Sequence, residues 1–143
     1  MSSRPEITVR LARLEDLRFV TSDGHAASDV VRRKITHGEV FVAERGGEQL
    51  GYLRLEYLWS RLPYIAMIQV APPHRRQGVG RALLAHLAGA LAEQGHAILY
   101  SSSQADEPEA QAWHRRVGFE ECGIVSGINE GGIGEVFFRK PLA

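Results

Sequence analysis

The segment Ile65 to Gln94 limits the folds open to this chain more than any other. It reads as an apolar strand, a Pro-containing corner, the basic Gly-punctuated loop Arg75-Arg76-Gln77-Gly78-Val79-Gly80, and a stretch in which Leu83, Leu84, Leu87, Ala88 and Leu91 recur at helical spacing. A helix therefore starts in or just after the loop. Its first N–H groups lack partners within the helix and can converge on an anion, and Arg75, Arg76 and Arg81 surround that end with positive charge. Two glycines spaced by one residue let the backbone approach a ligand closely. The combination describes a seat for a pyrophosphate.

Two familiar phosphate-binding loops do not fit. A P-loop requires Lys and then Ser or Thr after its last glycine, whereas Arg81 and Ala82 follow Gly80. A dinucleotide fingerprint requires a third small residue where this chain has Leu83. The string Val70-Ala71-Pro72-Pro73-His74-Arg75-Arg76-Gln77-Gly78-Val79-Gly80-Arg81-Ala82-Leu83-Leu84 instead resembles motif A of the GCN5-related N-acetyltransferases, the GNAT family. The resemblance implies that the loop amides, from Gln77 through Gly78, Val79 and Gly80 to Arg81, hold the pyrophosphate of acetyl-CoA, with Arg75 and Arg76 assisting. It also implies that main-chain groups of the preceding strand, at Ile68 and Val70, hold the pantetheine arm and the thioester carbonyl.

With 143 residues the chain is read as a single domain, 1–143, large enough for one substantial core. Seventeen Lys and Arg balance seventeen Asp and Glu, so no global field recruits nucleic acid or an anionic membrane. The arginines at positions 75, 76, 81, 115 and 116 fall on two helix ends rather than along one face with aromatics, which weakens a nucleic-acid reading further. The apolar runs are short for a membrane span and Met1 to Glu6 is polar, so the expected location is cytoplasmic. The single cysteine, Cys122, excludes an internal disulfide and a multi-cysteine zinc site, and no two of the six histidines have metal-pair spacing on one helix. No metal is expected, and Cys122 is expected to be a buried or half-buried strand residue.

In chain order, Ile7, Val9 and Leu11 alternate as a first strand, a short helix spans Leu14 to Val20, and Ser22-Asp23-Gly24 breaks it. Ala27 to Thr36 reads as a second helix, with Val30, Val31 and Ile35 on one side and a solvated basic face of Arg32, Arg33 and Lys34 on the other. Val40 to Ala43 and Gln49 to Trp59 are strands joined by a hairpin turn at Arg45-Gly46-Gly47-Glu48. Tyr64 to Val70 is nearly continuous apolar sequence and is expected to be covered on both faces. After the loop helix, capped at Gly95, a strand begins at Ala97 and breaks into the polar run Ser101 to Gln104. A helix from Glu107 to Arg116 ends at Gly118, and Phe119 to Cys122 and Glu135 to Arg139 are the last strands. The Gly-rich connection between them reads either as the lining of a substrate entrance or as a loose turn. The order matches the acetyltransferase topology along the whole chain. It implies an α/β fold with a mixed, mostly antiparallel seven-stranded sheet flanked by about four helices.

A second stretch, Ala110 to Phe119, resembles the family's motif B, with His114 where a Tyr is usual and Glu107 near a frequent Asn. The Tyr is the usual proton donor to the departing thiolate, so the resemblance makes His114 the candidate acid. In sequence terms its pKa is pulled upward by the helix C-terminus and downward by Arg115 and Arg116, and the net direction stays open. An alkylamine of pKa near 10.4 is a free base to roughly one part in two thousand at pH 7, which calls for a proton acceptor. Glu56, on the long strand among Tyr57, Trp59 and Tyr64, is the first candidate and Glu135 the second, with water as the remaining option. The resulting expectation is an acetyl-CoA-dependent N-acetyltransferase of a small-molecule or peptide amine, with homodimers common among relatives. A catalytically silent acyl-CoA-binding regulatory domain is the alternative.

Overall fold

A computed structural model describes residues 5–142; the first four residues of the polar amino-terminal stretch and residue 143 lie outside it. Seven strands form one mixed sheet in the order β1-β2-β3-β4-β5-β7-β6, and four helices accompany it. The chain divides into two compact units, one comprising the residues up to Glu56 with Met67–Leu87, the other Tyr57–Ala66 with the residues from Ala88 onward.

In the first unit β1 (Thr8–Leu11) pairs antiparallel with β2 (Val40–Arg45), which pairs antiparallel with β3 (Glu48–Leu58). The β2–β3 turn places Gly46 and Gly47 at φ 57° and 85°, the left-handed pair that a two-residue hairpin demands. A 3-10 turn at Leu14–Asp16 leads into α1 (Leu17–Val20), and α2 is Ser28–Thr36. Val20, Val31, Ile35, Val40, Val42 and Tyr52 form the core of this unit. Val31 and Ile35 are spaced four apart, so one helical face supplies both. Val30, expected beside them, is exposed. Lys34 also leaves the expected solvated face: its ammonium reaches the Leu55 carbonyl at 2.7 Å and Glu56 at 3.1 Å.

Within this core lies a buried ion pair. Asp23 and Arg54 have side chains only 3% and 5% exposed, and the Arg54 guanidinium bonds both carboxylate oxygens of Asp23. Tyr52 donates its hydroxyl to Asp23 at 2.5 Å, the His25 N–H donates at 2.9 Å, and Arg54 also reaches the Val20 carbonyl at 2.8 Å. Burial opposes ionisation of Asp23. The hydrogen bonds from Arg54 and Tyr52 outweigh that effect and hold its carboxyl well below the usual carboxylate range. The α1–α2 connection is thereby tied to β3.

β4 (Leu62–Val70) precedes a 3-10 turn at Pro72–His74 and then α3 (Val79–Glu93). The expectation that β4 is covered on both faces fails toward its C-terminal end, where Ala66 is exposed and Met67 to Val70 are half-buried. A continuous apolar run shows that polar residues are absent, not that both faces are packed. On α3, Leu83, Leu84, Leu87 and Leu91 are buried while Ala85, His86 and Gly89 are exposed, as the helical spacing implies.

In the second unit β5 (Ile98–Gln104) runs parallel to β4 with Tyr64 opposite Tyr100, and antiparallel to β7 (Glu135–Pro141), which pairs antiparallel with the edge strand β6 (Glu120–Val125). Contrary to the sequence expectation, β5 does not end at the serines: Leu99, Ser101 and Ser103 point inward and are buried along its whole length. Helix α4 is Pro108–Arg116. Helices α3 and α4 end in the same cap, as does α2 at Gly38. The N–H of His96 bonds the Leu91 carbonyl and that of Phe119 bonds the His114 carbonyl, each just after a glycine, Gly95 at φ 91° and Gly118 at φ 97°. Cys122 is exposed rather than buried, as is every residue of the edge strand β6, and it sits at the bulge between Glu121 and Gly123. The turn between β3 and β4 uses Trp59 and Ser60 at φ 52° and 59°, non-glycine residues in a left-handed pair, and leaves Trp59 82% exposed. No helix among the described residues is long and apolar enough to cross a membrane.

Candidate functional site

The loop at the start of α3 is shaped by backbone conformation. Arg76 and Gly78 adopt φ 63° and 84°, and the first helical bond runs from the Ala82 N–H to the Gly78 carbonyl at 2.9 Å. The N–H groups of Val79, Gly80 and Arg81 in that first turn precede this bond, so none has a carbonyl partner inside the helix. A Cβ added at Gly78 meets nothing within 4 Å, so the requirement for glycine there is conformational and the space beside it is open. Arg75, Arg76 and Arg81 are all exposed around this end.

Three fixings hold the loop. Arg75 Nε donates to the Val70 carbonyl at 3.1 Å, Gln77 Nε2 to the Pro73 carbonyl at 3.3 Å, and Arg45 donates to Gln77 Oε1 at 3.0 Å. The Gln77 side chain is therefore a brace, which leaves only its backbone N–H for the task that the sequence assigns it. Arg45, read in the sequence as a turn residue, adds a further cation next to the loop. Below it, Gly51 permits a close approach: a Cβ there would lie 2.6 Å from the Gln69 carbonyl and 3.1 Å from the Val79 side chain. Ile68 and Val70 are half-buried on the strand entering the loop. First-turn amides without a partner inside the helix, left-handed turns and exposed guanidinium groups are the kind of donor set that a diphosphate requires, so the residues present fit the pyrophosphate of acetyl-CoA.

His114, the expected acid, is elsewhere in kind. Its residue exposure is 4% and its ring stacks on Phe138 with centroids 4.5 Å apart and planes 3° apart. Nδ1 lies 2.7 Å from the Ala110 carbonyl and Nε2 lies 2.7 Å from Ser101 Oγ. A carbonyl only accepts, so the ring hydrogen sits on Nδ1 and Nε2 receives the Ser101 hydroxyl. Burial lowers the pKa of His114, outweighing the upward pulls of the Ala110 carbonyl and of Glu135. The direction left open by the sequence is thus downward. The neutral ring carries no hydrogen on its Nε2 side to give to a thiolate.

Of the carboxylates, Glu56 is 53% exposed on its side chain and ion-paired with Lys34 at 3.1 Å. Glu135 is half-buried. It accepts from Ser102 Oγ at 2.5 Å and from Asn129 Nδ2 at 2.9 Å, and Ser102 Oγ lies 2.6 Å from the Tyr64 hydroxyl. Tyr64 stacks on Phe137 at 5.9 Å, Tyr57 lies against His96 at 6.1 Å, and Trp59 stands at its hairpin tip. Sequence reasoning missed Ser102 and Asn129. An alternating reading of Leu99 to Gln104 would have put Ser102 on the face opposite the buried serines. The Gly-rich connection is no loose turn, because Asn129 anchors it to Glu135 and, through its N–H, to the Ile133 carbonyl at 3.0 Å. Among the described residues no group of three His, Cys, Asp or Glu gathers as a metal site would require.

Comparison with known proteins agrees with this loop and topology. The chain is 31% identical over 116 residues to streptothricin acetyltransferase of Streptomyces lavendulae, covering 79% of this chain and 61% of that protein. It is 34% identical over 114 residues to aminoglycoside N(6')-acetyltransferase type 1 of Stenotrophomonas maltophilia, covering 73% and 68%. The chain thus spans less than two thirds of the length of the first of these relatives. Among solved structures, a Salmonella typhimurium protein holding its cofactor acetyl-CoA superimposes with a TM-score of 0.80 at 18% identity, covering 96% of this chain and 94% of that one, a likeness of fold. The model of the acetyltransferase (GNAT) family matches residues 8–119, from the first strand through the end of motif B, and the chain belongs to that family.

Proposed function

We propose that the protein is an acetyl-CoA-dependent N-acetyltransferase acting as one domain on the primary amine of a small molecule or peptide. The observation that carries this reading is the loop at Gln77 to Arg81, with left-handed turns at Arg76 and Gly78 and first-turn amides that have no carbonyl partner inside the helix. The two relatives that act on antibiotics favour a small-molecule amine as acceptor. Acetyl-CoA supplies an acyl group already activated as a thioester. The chain's own residues then have three tasks: to fix the diphosphate, to align the carbonyl and to leave the acceptor nitrogen uncharged. Val79, Gly80 and Arg81 provide the amides, and Arg75, Arg76 and Arg81 the charge. The Ile68 backbone is the one to align the pantetheine arm, since the Val70 carbonyl is already engaged by Arg75. His114 holds Ser101 and the Phe138 face in place, and in this reading the leaving thiolate takes its proton from water.

Replacement of Gly80 by Val tests the site. Each charge-assisted hydrogen bond contributes about 1.5 to 3 kcal/mol, so a side chain in the cradle should weaken acetyl-CoA at least about tenfold by calorimetry. Unchanged affinity in a folded Gly80→Val protein would remove the loop from the assignment. The silent acyl-CoA-binding alternative is separated by thiol release over a panel of amines: turnover establishes the enzyme, and tight binding without turnover the sensor.

A further inference from the structure

We infer that Arg45, the last residue of β2, is a positioning residue for the cofactor: through the Gln77 side chain it holds the phosphate loop in its binding shape before acetyl-CoA arrives. The inference rests on the acetyltransferase reading above. It starts from the conformation of the loop. Arg76 sits at φ 63°, a left-handed conformation unfavourable to a residue with a Cβ, and Gly78 follows at φ 84°. A segment of this kind left to itself samples other conformations, and its amides must then be reordered each time a diphosphate binds. A contact from outside the loop removes that cost.

The segments on either side of the loop have their own anchors. Before it, the Ala71 N–H bonds the Leu50 carbonyl at 2.9 Å, and His74 lies 3.7 Å from Glu48 at the start of β3. After it, the buried Val79 side chain lies beside Gly51. Within it, Arg75 donates to the Val70 carbonyl and Gln77 to the Pro73 carbonyl, five and four residues back along the chain. Those two bonds tie the loop to its own approach. Arg45 is different, because its Nη1 donates to Gln77 Oε1 at 3.0 Å from 32 residues away. Among the described residues no other side-chain hydrogen bond reaches residues 75–78 from a different strand.

Arg45 is itself aimed by the hairpin. The β2–β3 register shifts between Ala43 and Glu44, so the last pairs, Glu44 with Gln49 and Arg45 with Glu48, pass over Leu50. A bulge of this kind re-aims the side chains beyond it. Arg45 Nε donates to the Pro5 carbonyl at 3.1 Å, and Pro5 lies against the turn, where a Cβ on Gly46 would come 3.5 Å from its ring. One planar guanidinium thus spends Nε on the amino-terminal segment and Nη1 on the loop, and its rigid fork sets the angle between them. A guanidinium only donates and a carbonyl only accepts, so the Gln77 amide must present Oε1 to Arg45 and Nε2 to Pro73. Residue 77 lies between the two left-handed residues, and a turn of its backbone would break one of these bonds.

The test is a double-mutant cycle on acetyl-CoA affinity, measured by calorimetry in the full-length protein. Arg45→Met and Gln77→Leu should each weaken acetyl-CoA about tenfold, and the double variant should also stay near a tenfold loss, because both changes remove the same brace. The midpoint of urea unfolding, close to the parent's in all three, is the check on folding. Turnover of an amine that the parent acetylates gives the second reading. Arg45→Met should raise KM for acetyl-CoA and leave kcat unchanged, while kcat/KM for S-acetylpantetheine, which lacks the diphosphate, should equal the parent's. A double variant weakened about a hundredfold would make Arg45 a direct charge on the phosphates. An equal loss with S-acetylpantetheine would make it a general support of the fold, and unchanged affinity in Arg45→Met would mean that the loop holds itself. Each of these overturns the inference and leaves the acetyltransferase reading intact. A parent that binds no acetyl-CoA overturns that reading, and this inference with it.

Discussion

Each unit of the molecule buries a polar cluster, and the two are built on opposite principles. In the first, Asp23 and Arg54 are both charged and both nearly sealed, and Tyr52, the His25 N–H and the Val20 carbonyl complete their bonding. In the second, Ser101 and His114 are both neutral, and the ring is sandwiched by contacts to Phe138, Trp113 and Phe119. A buried charge is tolerated when a counter-charge and hydrogen bonds surround it; a buried imidazole is tolerated when burial keeps it uncharged. The first arrangement fails when one member is removed, the second when a proton is added.

The largest effect should come from breaking the charged cluster. Arg54→Met strands the Asp23 carboxylate and should cost about 3 to 5 kcal/mol in urea unfolding. If the loss is the stranded charge rather than the shape of the site, Asp23→Leu added to Arg54→Met should restore much of it. A double variant as unstable as the single one would show that the bonds to Val20 and His25, not charge balance, carry the cluster.

Acid should then separate the two. The folded pKa of His114 lies below its ordinary value of 6.5, so as pH falls past 6.5 the unfolded chain takes up the proton first. Its contribution to stability is complete above that pH and declines below it. The folded pKa of Asp23 lies below its ordinary 3.8, so its contribution is complete above that pH and is lost only in stronger acid. Asp16, lowered by its hydrogen bond from Arg10, joins the second stage. Stability measured against pH should fall in two steps. His114→Phe keeps an aromatic ring on Phe138 but leaves Ser101 unpartnered, so it should cost about 1 to 3 kcal/mol near neutral pH and abolish the upper step. Its acetyl transfer from pH 6 to 9 should match the parent; a large drop recovered by His114→Tyr would return His114 to the chemistry as a donor.

The smallest effect belongs to a charge pair outside both clusters. Glu56→Gln removes the exposed partner of Lys34 and should change stability by less than about 1 kcal/mol. Its turnover is the informative reading, because a clear fall with unchanged acetyl-CoA affinity would assign proton removal to Glu56.

What the sequence makes legible follows from range. The start of α3 in the loop, the α3 face, the Gly46-Gly47 turn and the caps at Gly95 and Gly118 depend on neighbours within a few residues, and the conformation of each reads correctly from local pattern. The polar clusters depend on distant partners. Asp23 reads as a helix breaker, and Arg54, 31 residues later, is the only clue, as an arginine at an inward position of an apolar strand. The serines of β5 read as the end of a strand because inward positions are ordinarily marked by apolar residues, whereas here hydroxyls occupy them and His114 satisfies one. The same blindness hid Ser102 and Asn129, whose meaning appears only once β4, β5 and β7 lie side by side.

The strained hairpin between β3 and β4 has a spectroscopic consequence. The chain has two tryptophans, and the turn leaves Trp59 82% exposed in a medium that changes little on unfolding. Trp113 has its ring centroid 5.2 Å from that of His114, edge to face. An imidazolium quenches indole emission at such range far more than a neutral imidazole does. With Trp59 replaced by Phe, the fluorescence of Trp113 alone becomes an optical gauge of the protonation of His114, recorded in the native state without unfolding the molecule.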